Sequence, residues 1–436
     1  MQLAADEWPC LICSSAVNRV SERSDVQGCL RQSKDPSSML AVTAPACSRM
    51  LDAIEAIFRQ DFGGGASRYF FAPGRINLVG AHLDYSGGDV MPMAVDRGIC
   101  VGIRLRDDGC IRLRSVDQQL DVEVDSTKIG DHAEAQWAWG GYPLGIFRSF
   151  QSEHGVNTGF DAVFAGDIPI ASGLSSSAAI EVVTAMALNE LHGIGLSREQ
   201  IASLAHRAEN DFVGVRCGIM DQYTSALGEP GHVLWMHCQG PRWEHVPFDP
   251  KACEVLVMDT KKPRKLAASG FNERVAQCAA AHEYLSHNVR VRPNLAAYSV
   301  AELESAKSGM DDILYRRARH VVTEMGRVAA GAASLRAHDY AGLGAQLNAS
   351  HRSTATDYDV SCVELDVITT AAMECEDVLG ARLTGAGFGG CAIALIRPGC
   401  REQVAAHVGD KFAHRFGVKP GFDLLRVGDG PGEVYR

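Results

Sequence analysis

The stretch that decides the fold of this chain is rich in glycine and carries three side chains that are charged or titrate at or below neutral pH. It covers residues 72–88 and reads Ala-Pro-Gly-Arg-Ile-Asn-Leu-Val-Gly-Ala-His-Leu-Asp-Tyr-Ser-Gly-Gly. The three side chains belong to Arg75, His82 and Asp84. Position 81 is an alanine, and this residue bears most directly on which molecule the stretch can bind.

The composition is that of a soluble enzyme. At 436 residues, the chain exceeds what one hydrophobic core usually supports, so we expect two domains. The net charge of −11 offers no basic surface for nucleic acid or an anionic membrane. No apolar run reaches the ~18 residues that a membrane span needs. We expect small-molecule partners, and a monomer or a weak homo-oligomer.

The cysteines indicate the cellular compartment. Several lie inside apolar stretches, namely Cys100, Cys238, Cys253 and Cys391. Scattered cysteines of this kind are typical of reduced, buried thiols rather than of a disulfide scaffold. We therefore expect a cytoplasmic protein.

Residues 1–49 differ from the rest of the chain. They are polar and rich in serine, show no clear period and lack the apolar core of a signal peptide. Their cysteines are irregularly spaced, at Cys10, Cys13, Cys29 and Cys47. This spacing and the lack of a nearby histidine argue against a zinc site. We predict a disordered leader or an overextended start, followed by a helix from Met50 to the glycines at 63–65.

Strand and helix patterns alternate through the remaining sequence. Period-two alternation predicts an antiparallel or mixed sheet that includes residues 100–106, 110–114 and 120–124. Further strands are expected over 160–165, 232–237, 254–258, 381–384 and 391–396. One helix is expected directly after Ala179 and ends near Leu191. A second helix is expected from the capping box of Ser197 and Gln200 to about Phe212. Several long helices are expected between residues 271 and 350.

A loop of small residues lies directly before the helix that ends near Leu191. It consists of Gly173, Leu174, Ser175, Ser176, Ser177 and Ala178. It is not a Walker A loop, because it lacks the Gly-Lys-Ser/Thr ending. Small residues nevertheless let backbone N–H groups approach an anion, and the helix directs its positive N-terminus at the same point. Taken alone, the loop is equally typical of a linker and helix cap.

Two further motifs follow. Residues 216–222 read Arg-Cys-Gly-Ile-Met-Asp-Gln, and residues 383–391 read Leu-Thr-Gly-Ala-Gly-Phe-Gly-Gly-Cys. By itself Asp221 would be interpreted as a helix cap, and the glycines as a tight turn between strands.

Taken together, these motifs resemble the signatures of galactokinases, within the GHMP kinase superfamily, and occur in the same order. The likeness covers about residues 55–430. It implies an α+β, two-domain GHMP kinase fold, with domains over 50–235 and 236–436 and the active site in the cleft between them. It also implies transfer of a phosphoryl group from ATP to the anomeric hydroxyl of a sugar.

The resemblance implies the catalytic and metal-binding residues. Asp221 would accept the proton of the anomeric hydroxyl, while Arg75 would stabilise the developing charge and keep Asp221 ionised. Ser177 and Glu209 would bind Mg²⁺, which needs few protein oxygens because substrate phosphates supply the rest. The loop over residues 173–178 would bind ATP.

The resemblance also implies the sugar-binding residues. Asp84 would bind ring hydroxyls, His82 would lie at the C6 side, and Gly218 would leave room for the sugar. Gly385 and Gly387 would help to bind the nucleotide, in a loop near the phosphates and both substrates.

Two departures from the family pattern concern the sugar end. Ala81 replaces a glutamate that reaches the hydroxymethyl end of galactose, and Phe271 stands where galactokinases usually have a sugar-contacting tyrosine. Loss of activity, drift within a galactose enzyme and a new substrate are the alternatives. The intact loop, Arg75 and Asp221 argue against a non-catalytic sugar- and ATP-binding sensor.

The sharper hypothesis is a sugar with a carboxylate at C6. A glutamate ~4 Å from that carboxylate would cost about 4 kcal/mol, roughly a thousandfold in affinity. The Gly-Ala-His-x-Asp arrangement resembles that of plant galacturonokinases, which keep a tyrosine near position 271. Arg264 and Lys265 are candidates to bind the carboxylate, with a solvated basic loop as the alternative. We predict a galacturonokinase, with galactokinase as the alternative.

Overall fold

The structure is a computed structural model, which describes residues 45–118, 120–168, 173–215, 217–263 and 267–435. The predicted leader up to position 44 lies outside the described residues, and so do Arg264 and Lys265. The interpretations of these residues stay predictions.

Helices and strands alternate along the described residues, and the α+β class predicted from the sequence is confirmed. The strands are β1 (Arg68–Val79), β2 (Asp89–Leu105), β3 (Cys110–Ser115), β4 (Val122–Asp125), β5 (Phe160–Gly166), β6 (His232–His237), β7 (Arg242–Pro247), β8 (Glu254–Asp259), β9 (Val378–Leu383), β10 (Cys391–Ile396), β11 (Gly421–Leu425) and β12 (Gly432–Val434). The α-helices are α1 (Pro45–Ile57), α2 (Gly141–His154), α3 (Ser176–His192), α4 (Arg198–Arg207), α5 (Met220–Leu227), α6 (Ala267–Asn288), α7 (Val300–Ala306), α8 (Asp312–Arg336), α9 (Tyr340–Thr356), α10 (Val363–Met373) and α11 (Arg401–Phe416).

The larger sheet contains the first motif. Its order is β12-β1-β2-β5-β3-β4, and β6 joins it by pairing with β2 and β7. Strands β3 and β5 are parallel, whereas β1 and β2 are antiparallel, so the prediction of a mixed sheet is confirmed. Strand β1 is buried from Phe70 to Val79. It therefore carries the charged side chain of Arg75 into the interior.

The end of the chain returns to this sheet. Strand β12 pairs with β1, where Val434 lies opposite Tyr69. The C-terminal residues thus complete the sheet that carries the first motif. The predicted domain boundary between residues 235 and 236 stays a prediction. Strand β12 belongs to the predicted second domain, and it pairs with β1 of the predicted first domain.

The smaller sheet lies in the later part of the chain. Its order is β11-β8-β10-β9, and all its neighbouring strands are antiparallel. Strand β10 is buried along its whole length, and α9 and α10 pack beside β9. The turn between β9 and β10 carries the glycines of the last motif, including Gly385 and Gly387, both with positive φ.

Two helices on the larger sheet's side place functional side chains. Helix α3 begins at Ser176, directly after the loop of small residues. Helix α4 begins with the predicted capping box of Ser197 and Gln200 and passes into a π-helical turn, Ala208–Val213. Such turns are frequent at functional sites. This one buries Glu209, which is only 4% exposed.

The first helix begins earlier than predicted. Helix α1 begins at Pro45 rather than at Met50. The additional turn buries Cys47, whose Sγ lies 3.3 Å from that of Cys100. Each cysteine in the described part of the chain is a free thiol, as expected for a reduced protein. Across those same residues, no helix combines the length and apolar character needed to span a membrane.

Candidate active site

An arginine–carboxylate pair lies at the centre of the site. Arg75 of β1 donates two hydrogen bonds to Asp221 in the first turn of α5, from Nε to Oδ1 at 2.7 Å and from Nη2 to Oδ2 at 2.6 Å. Both side chains are largely buried. Two parallel N–H···O bonds fix the plane as well as the position of the carboxylate. The predicted neighbours Arg75 and Asp221 are therefore brought together.

The loop of small residues contacts the same pair. Arg75 Nη1 donates to the carbonyl oxygen of Gly173 at 2.6 Å, and the Ser175 hydroxyl donates to Asp221 Oδ2. Ser175 has φ +56, an uncommon conformation for a residue other than glycine. A carboxylate has about four acceptor positions. The described residues use three of them, which among these residues leaves one on Oδ1 for a further hydroxyl.

A cavity of about 170 Å³ opens beside the pair. This volume is below the ~300–1,000 Å³ of pockets for drug-sized ligands, so it suits a small molecule such as a monosaccharide. The five residues predicted to bind the sugar all line it, together with Arg75 and Asp221: Ala81, His82, Asp84, Gly218 and Phe271. The cavity is also lined by Arg382 on β9 and by Gly385. Because these residues and Phe271 on α6 come from the later part of the chain, both early and late parts of the chain contribute to the cavity.

Asp84 lies close to the central pair. Burial and the nearby charge of Asp221 raise the pKa of Asp84 to about 6, against the opposing effect of Arg75. A Cβ atom at Gly218 would overlap the Asp84 carboxylate. The sequence assigned to Gly218 the role of leaving room for the sugar. In the structure, its missing side chain makes room for Asp84.

His82 lies in an aromatic cluster next to the cavity. Its Nδ1 is 2.8 Å from Tyr85 Oη, and its ring centroid lies 4.9 Å from that of Tyr358 and 6.0 Å from that of Phe271. Burial lowers the pKa of His82 to about 3, and the charges of His320 and nearby arginines act in the same direction. His82 is therefore a neutral imidazole.

Two buried side chains of α8 hold the turn that carries Ala81, and the sequence did not predict them. Glu324 accepts hydrogen bonds from the backbone N–H groups of Gly80 at 3.0 Å and Ala81 at 3.1 Å. His320 Nε2 donates to the carbonyl oxygen of Ala81 at 2.9 Å. Burial would raise the pKa of Glu324, but His320 and the arginines beside it outweigh burial and lower it to about 2.

These residues left a weak signal in the sequence. His320 and Glu324 are four residues apart, so they share one face of α8. That face is the buried, apolar face of the helix, where Val321 and Val328 also lie. A polar pair on an apolar helix face could have been identified as buried, but not its contact with residues 80–81, about 240 positions earlier.

A second cavity adjoins the N-terminus of α3. Its volume is about 490 Å³, and Ser176 and Ser177 line it together with the aromatic rings of Trp139, Tyr142 and Phe164. Leu174 and Ala178, predicted to bind nucleotide, are instead buried in the core. Their side chains anchor the loop, and only their backbone atoms could serve a ligand.

The two glycines of the last motif differ in place. Gly385 lines the smaller cavity. Gly387 has φ +80, and a Cβ atom there would overlap the carbonyl oxygen of Val360. The close approach of two backbone segments therefore requires glycine at position 387.

The predicted metal ligands lie together. The Ser177 hydroxyl donates to Glu209, and burial raises the pKa of Glu209. Glu209 also accepts hydrogen bonds from Cys217, at 3.2 Å, and from Gln222. Among the described residues, no group of three or more His, Cys, Asp and Glu side chains could hold a metal ion. A serine and one carboxylate nevertheless fit a hard cation whose other ligands are phosphate oxygens and water.

Family comparisons agree with this fold. Residues 56–105 match the galactokinase galactose-binding signature, residues 141–229 match the GHMP kinases N-terminal domain, and residues 332–414 match the GHMP kinases C-terminal domain. The fold and the site therefore define a GHMP-type kinase.

Full-length relatives narrow the class. A galactokinase from Exiguobacterium sibiricum is 38% identical over 88% of this chain and 98% of its own length. One from Streptococcus thermophilus is 36% identical over 86% of this chain and 96% of its own length. The chain therefore belongs to the galactokinase-type sugar kinases of the GHMP superfamily, which are phosphotransferases with an alcohol group as acceptor. The finer resemblance to galacturonokinases stays a prediction.

Solved structures give the same result. The Lactococcus lactis galactokinase complexed with galactose superimposes with a TM-score of 0.82 at 34% identity, over 87% of this chain and 99% of that one. The mevalonate kinase of Methanococcus jannaschii has a TM-score of 0.61 at 19% identity, over 83% of this chain and 99% of its own. The second likeness supports the fold alone.

Proposed function

We propose that this kinase transfers the γ-phosphoryl group of ATP to the anomeric hydroxyl of D-galactose. The observation that carries the proposal is the Arg75–Asp221 pair at the wall of the smaller cavity, with the Ser175 hydroxyl on the same carboxylate. A sugar in the cavity would have its anomeric hydroxyl beside this carboxylate, and phosphates bound at the adjoining loop would lie within reach of that hydroxyl, so the two reactants could be positioned for in-line transfer. We place galactose first because the relatives named above are galactokinases.

In the proposed reaction, the anomeric oxygen attacks the γ-phosphorus. A bond forms between these two atoms, the bond from phosphorus to the β,γ-bridging oxygen breaks, and ADP leaves. The hydroxyl proton passes to the remaining acceptor position on Asp221 Oδ1. Arg75 holds this carboxylate in place, and Asp84 accepts hydrogen bonds from ring hydroxyls and orients the sugar.

The nucleotide would occupy the larger cavity. Its volume of about 490 Å³ lies within the usual range for cofactor-sized ligands. Backbone N–H groups at the N-terminus of α3 would bind the phosphates, because this helix end favours anions. Ser177 and Glu209 would hold Mg²⁺, which when bound neutralises phosphate charge.

A parallel kinase assay tests the proposal. The protein is incubated with γ-labelled ATP and, separately, with galactose, galacturonate, glucuronate and N-acetylgalactosamine at matched concentrations. We expect labelled product with galactose. Sugar and ATP binding without labelled product from any of the four would instead support a non-catalytic sensor.

D-galacturonate is a second candidate, favoured by the wall of the cavity at position 81. Ala81 is 3% exposed and presents only a methyl group, where a carboxylate of the protein would repel one on the sugar. Arg382 lines the same cavity and lies almost wholly inside the protein. Within the described residues, Arg382 is thus a cation in place to attract an acidic sugar, a role for which the sequence suggested Arg264 and Lys265.

A further inference from the structure

Two buried thiols lie in contact between the first helix and the larger sheet. Cys47 is in the first turn of α1 and Cys100 is on β2, and their Sγ atoms are 3.3 Å apart. Their exposed fractions are 2% and 0%. Both are free thiols, and the reaction proposed above uses neither of them. We call them the Cys47–Cys100 pair.

The pair lies in an apolar cluster that packs α1 onto the sheet. On α1 the cluster includes Leu51 and Ile54. On the sheet it includes Phe71 and Ala165, which lie opposite Cys100 in β1 and β5. Close packing of this kind leaves side chains few alternative positions. The fold therefore holds the two sulfurs against each other, and only a small further approach separates them from a disulfide bond.

A cavity of about 720 Å³ lies next to the pair, and Cys47 is one of the residues that line it. Four arginines and four aspartates also line this cavity, so its walls carry charges of both signs. A small neutral molecule can therefore enter it. The terminal turns of helices fray, and Cys47 lies in such a turn. A molecule of about the size of water can thus reach its sulfur while the rest of α1 stays packed.

The two thiols differ in acidity. The hydrogen bond between them lowers the pKa of Cys47, against burial and the charge of Asp167. The same hydrogen bond, together with burial, raises the pKa of Cys100. Because the thiolate is the nucleophile in thiol chemistry, Cys47 is the residue that reacts first.

We propose that hydrogen peroxide converts the Cys47–Cys100 pair into a disulfide, which cross-links α1 to β2. The thiols are the resting form, and the cross-link forms when the protein meets the oxidant. Sulfur oxidation of this kind is reversed by thiol reductants. This inference does not depend on the proposed kinase function.

The oxidation takes two steps. The Cys47 thiolate attacks one oxygen of the peroxide, so that an S–O bond forms, the O–O bond breaks and hydroxide leaves. The Cys100 thiolate then attacks the sulfur of this sulfenic acid, so that the S–S bond forms, the S–O bond breaks and a second hydroxide leaves. Each hydroxide takes up one of the two thiol protons. Two thiols and one peroxide therefore give one disulfide and two waters.

The cross-link would enclose the first motif. The two cysteines are 53 positions apart, and the segment between them contains residues 72–88. In the chain-entropy model, a disulfide stabilises by restricting the unfolded chain, and more so for a longer loop. Oxidation should therefore make this segment harder to unfold.

Peptide mapping of the full chain tests whether the bond forms. Reduced protein is treated with hydrogen peroxide, and the remaining thiols are blocked in acidic denaturant before digestion. Trypsin releases residues 35–49 and residues 98–104, each of which contains a single cysteine. We expect these two peptides to be joined after peroxide treatment and separate after dithiothreitol. Cys253, whose buried thiol donates to the carbonyl oxygen of Glu254 at 3.6 Å, should stay blocked as a thiol.

Thermal unfolding tests the effect of the bond. Oxidised wild type should unfold about 5 °C above the reduced protein, and dithiothreitol should reverse the shift. Cys47→Ser and Cys100→Ser should show no such difference between their peroxide-treated and reduced forms. Cys253→Ser is the matched control, because it changes a buried thiol and should keep the full shift. Comparison within each variant separates the cross-link from any stability that the substitution itself costs.

Three outcomes would overturn the proposal. The first is folded wild type in which both peptides are still blocked as thiols after peroxide treatment. The second is a cross-link from Cys47 to Cys10, Cys13 or Cys29 in place of Cys100. The third is a wild-type shift in unfolding temperature no larger than that of Cys47→Ser. The first two are decided on wild type alone, so they do not depend on the folding of any variant.

Discussion

The phosphate-loop side and the sugar side of the site meet at Asp221, but they differ in how their contacts are made. On the loop side, Arg75, Gly173, Ser175 and Asp221 bond directly to one another, and all belong to the motifs that define the class. On the sugar side, the wall around Ala81 is held by side chains of α8, and its aromatic cluster draws on α6 and Tyr358. The side chains proposed to carry the transfer therefore all belong to the motifs, although up to 146 positions separate them. The wall of the proposed sugar cavity depends in addition on side chains outside those motifs, such as Glu324.

The largest expected effect tests the loop side. Asp221→Asn removes the proposed proton acceptor but keeps the size of the side chain, so kcat should fall by about 10²–10⁴. Sugar and ATP affinities, measured by calorimetry, should stay within a few-fold. Asp249→Asn, at an exposed position, is the control. Wild-type turnover in Asp221→Asn would remove this residue from the mechanism.

The next effect tests the sugar side. Ala81→Glu places a carboxylate at the cavity wall, and like charges in a partly desolvated site repel by several kcal/mol. The kcat/KM for galacturonate should fall by roughly two to three orders of magnitude, and less at high salt. Galactose should lose little, because its C6 hydroxyl can donate to the new acceptor.

Ala81→Gln separates charge from size in this test. Glutamine has nearly the shape of glutamate but no charge, so the ratio of galacturonate to galactose efficiency should change much less. Equal changes in the two variants would show that crowding against the backbone held by Glu324, and not charge, controls this end of the cavity.

A smaller effect is the pH dependence of kcat/KM for the sugar. It concerns both the loop side and the sugar side of the site, since Asp84 lies between them. Its pKa is raised to about 6, so the protonated fraction grows as the pH falls through 6. A protonated Asp84 can accept fewer hydrogen bonds from ring hydroxyls. The kcat/KM for the sugar should therefore decrease toward tenfold per pH unit below about 6. In Asp84→Asn this acid limb should disappear from the profile, and its persistence would assign it to another group.

The metal requirement should change by a similar or smaller factor. Ser177→Ala and Glu209→Gln each remove one of two protein oxygens, so each should raise the Mg²⁺ concentration for half-maximal activity several-fold. Glu190→Gln, an exposed carboxylate on α3, should leave the titration unchanged. If neither active-site variant shifts the Mg²⁺ titration relative to this control, the assignment of the ligands is wrong.

The smallest expected effect lies outside both regions. The sequence before Pro45 shows no core-forming period, so deletion of residues 1–44 should leave kcat and solubility largely unchanged. Deletion of residues 1–49 should cost more in thermal stability, because it removes Cys47 from the contact between α1 and β2. A loss of activity with the shorter deletion would show that this segment packs on the enzyme.

Much of the fold could be predicted because its signals are local. The capping box of Ser197 and Gln200, strand β10 and the helix after the loop follow from spacing and period alone. Helix α1 was placed too late, since the burial of Cys47 depends on Cys100, 53 residues away. The hydrophobic pattern of a single helix cannot reveal a contact with a residue so far away in the sequence.

The same limit divides the site. All five predicted sugar residues line one cavity with Arg75 and Asp221. They could be predicted because four of them lie in the family's signatures and Phe271 stands at a position that the family uses for the sugar. Glu324, His320 and Tyr358 were missed as site residues because each contacts the first motif across more than 200 positions. Gly218 was assigned to the sugar, although the atom that excludes its side chain belongs to Asp84.

The most direct test of the central claim is the position of the phosphate on the product. Wild-type protein, ATP and ¹³C1-labelled galactose are incubated together, and the product is examined by ¹³C and ³¹P NMR. We expect coupling between phosphorus and C1, which identifies the 1-phosphate, and its loss in Asp221→Asn. Phosphorylation at another hydroxyl, or none with either galactose or galacturonate, would contradict the account in which Asp221 accepts the anomeric proton.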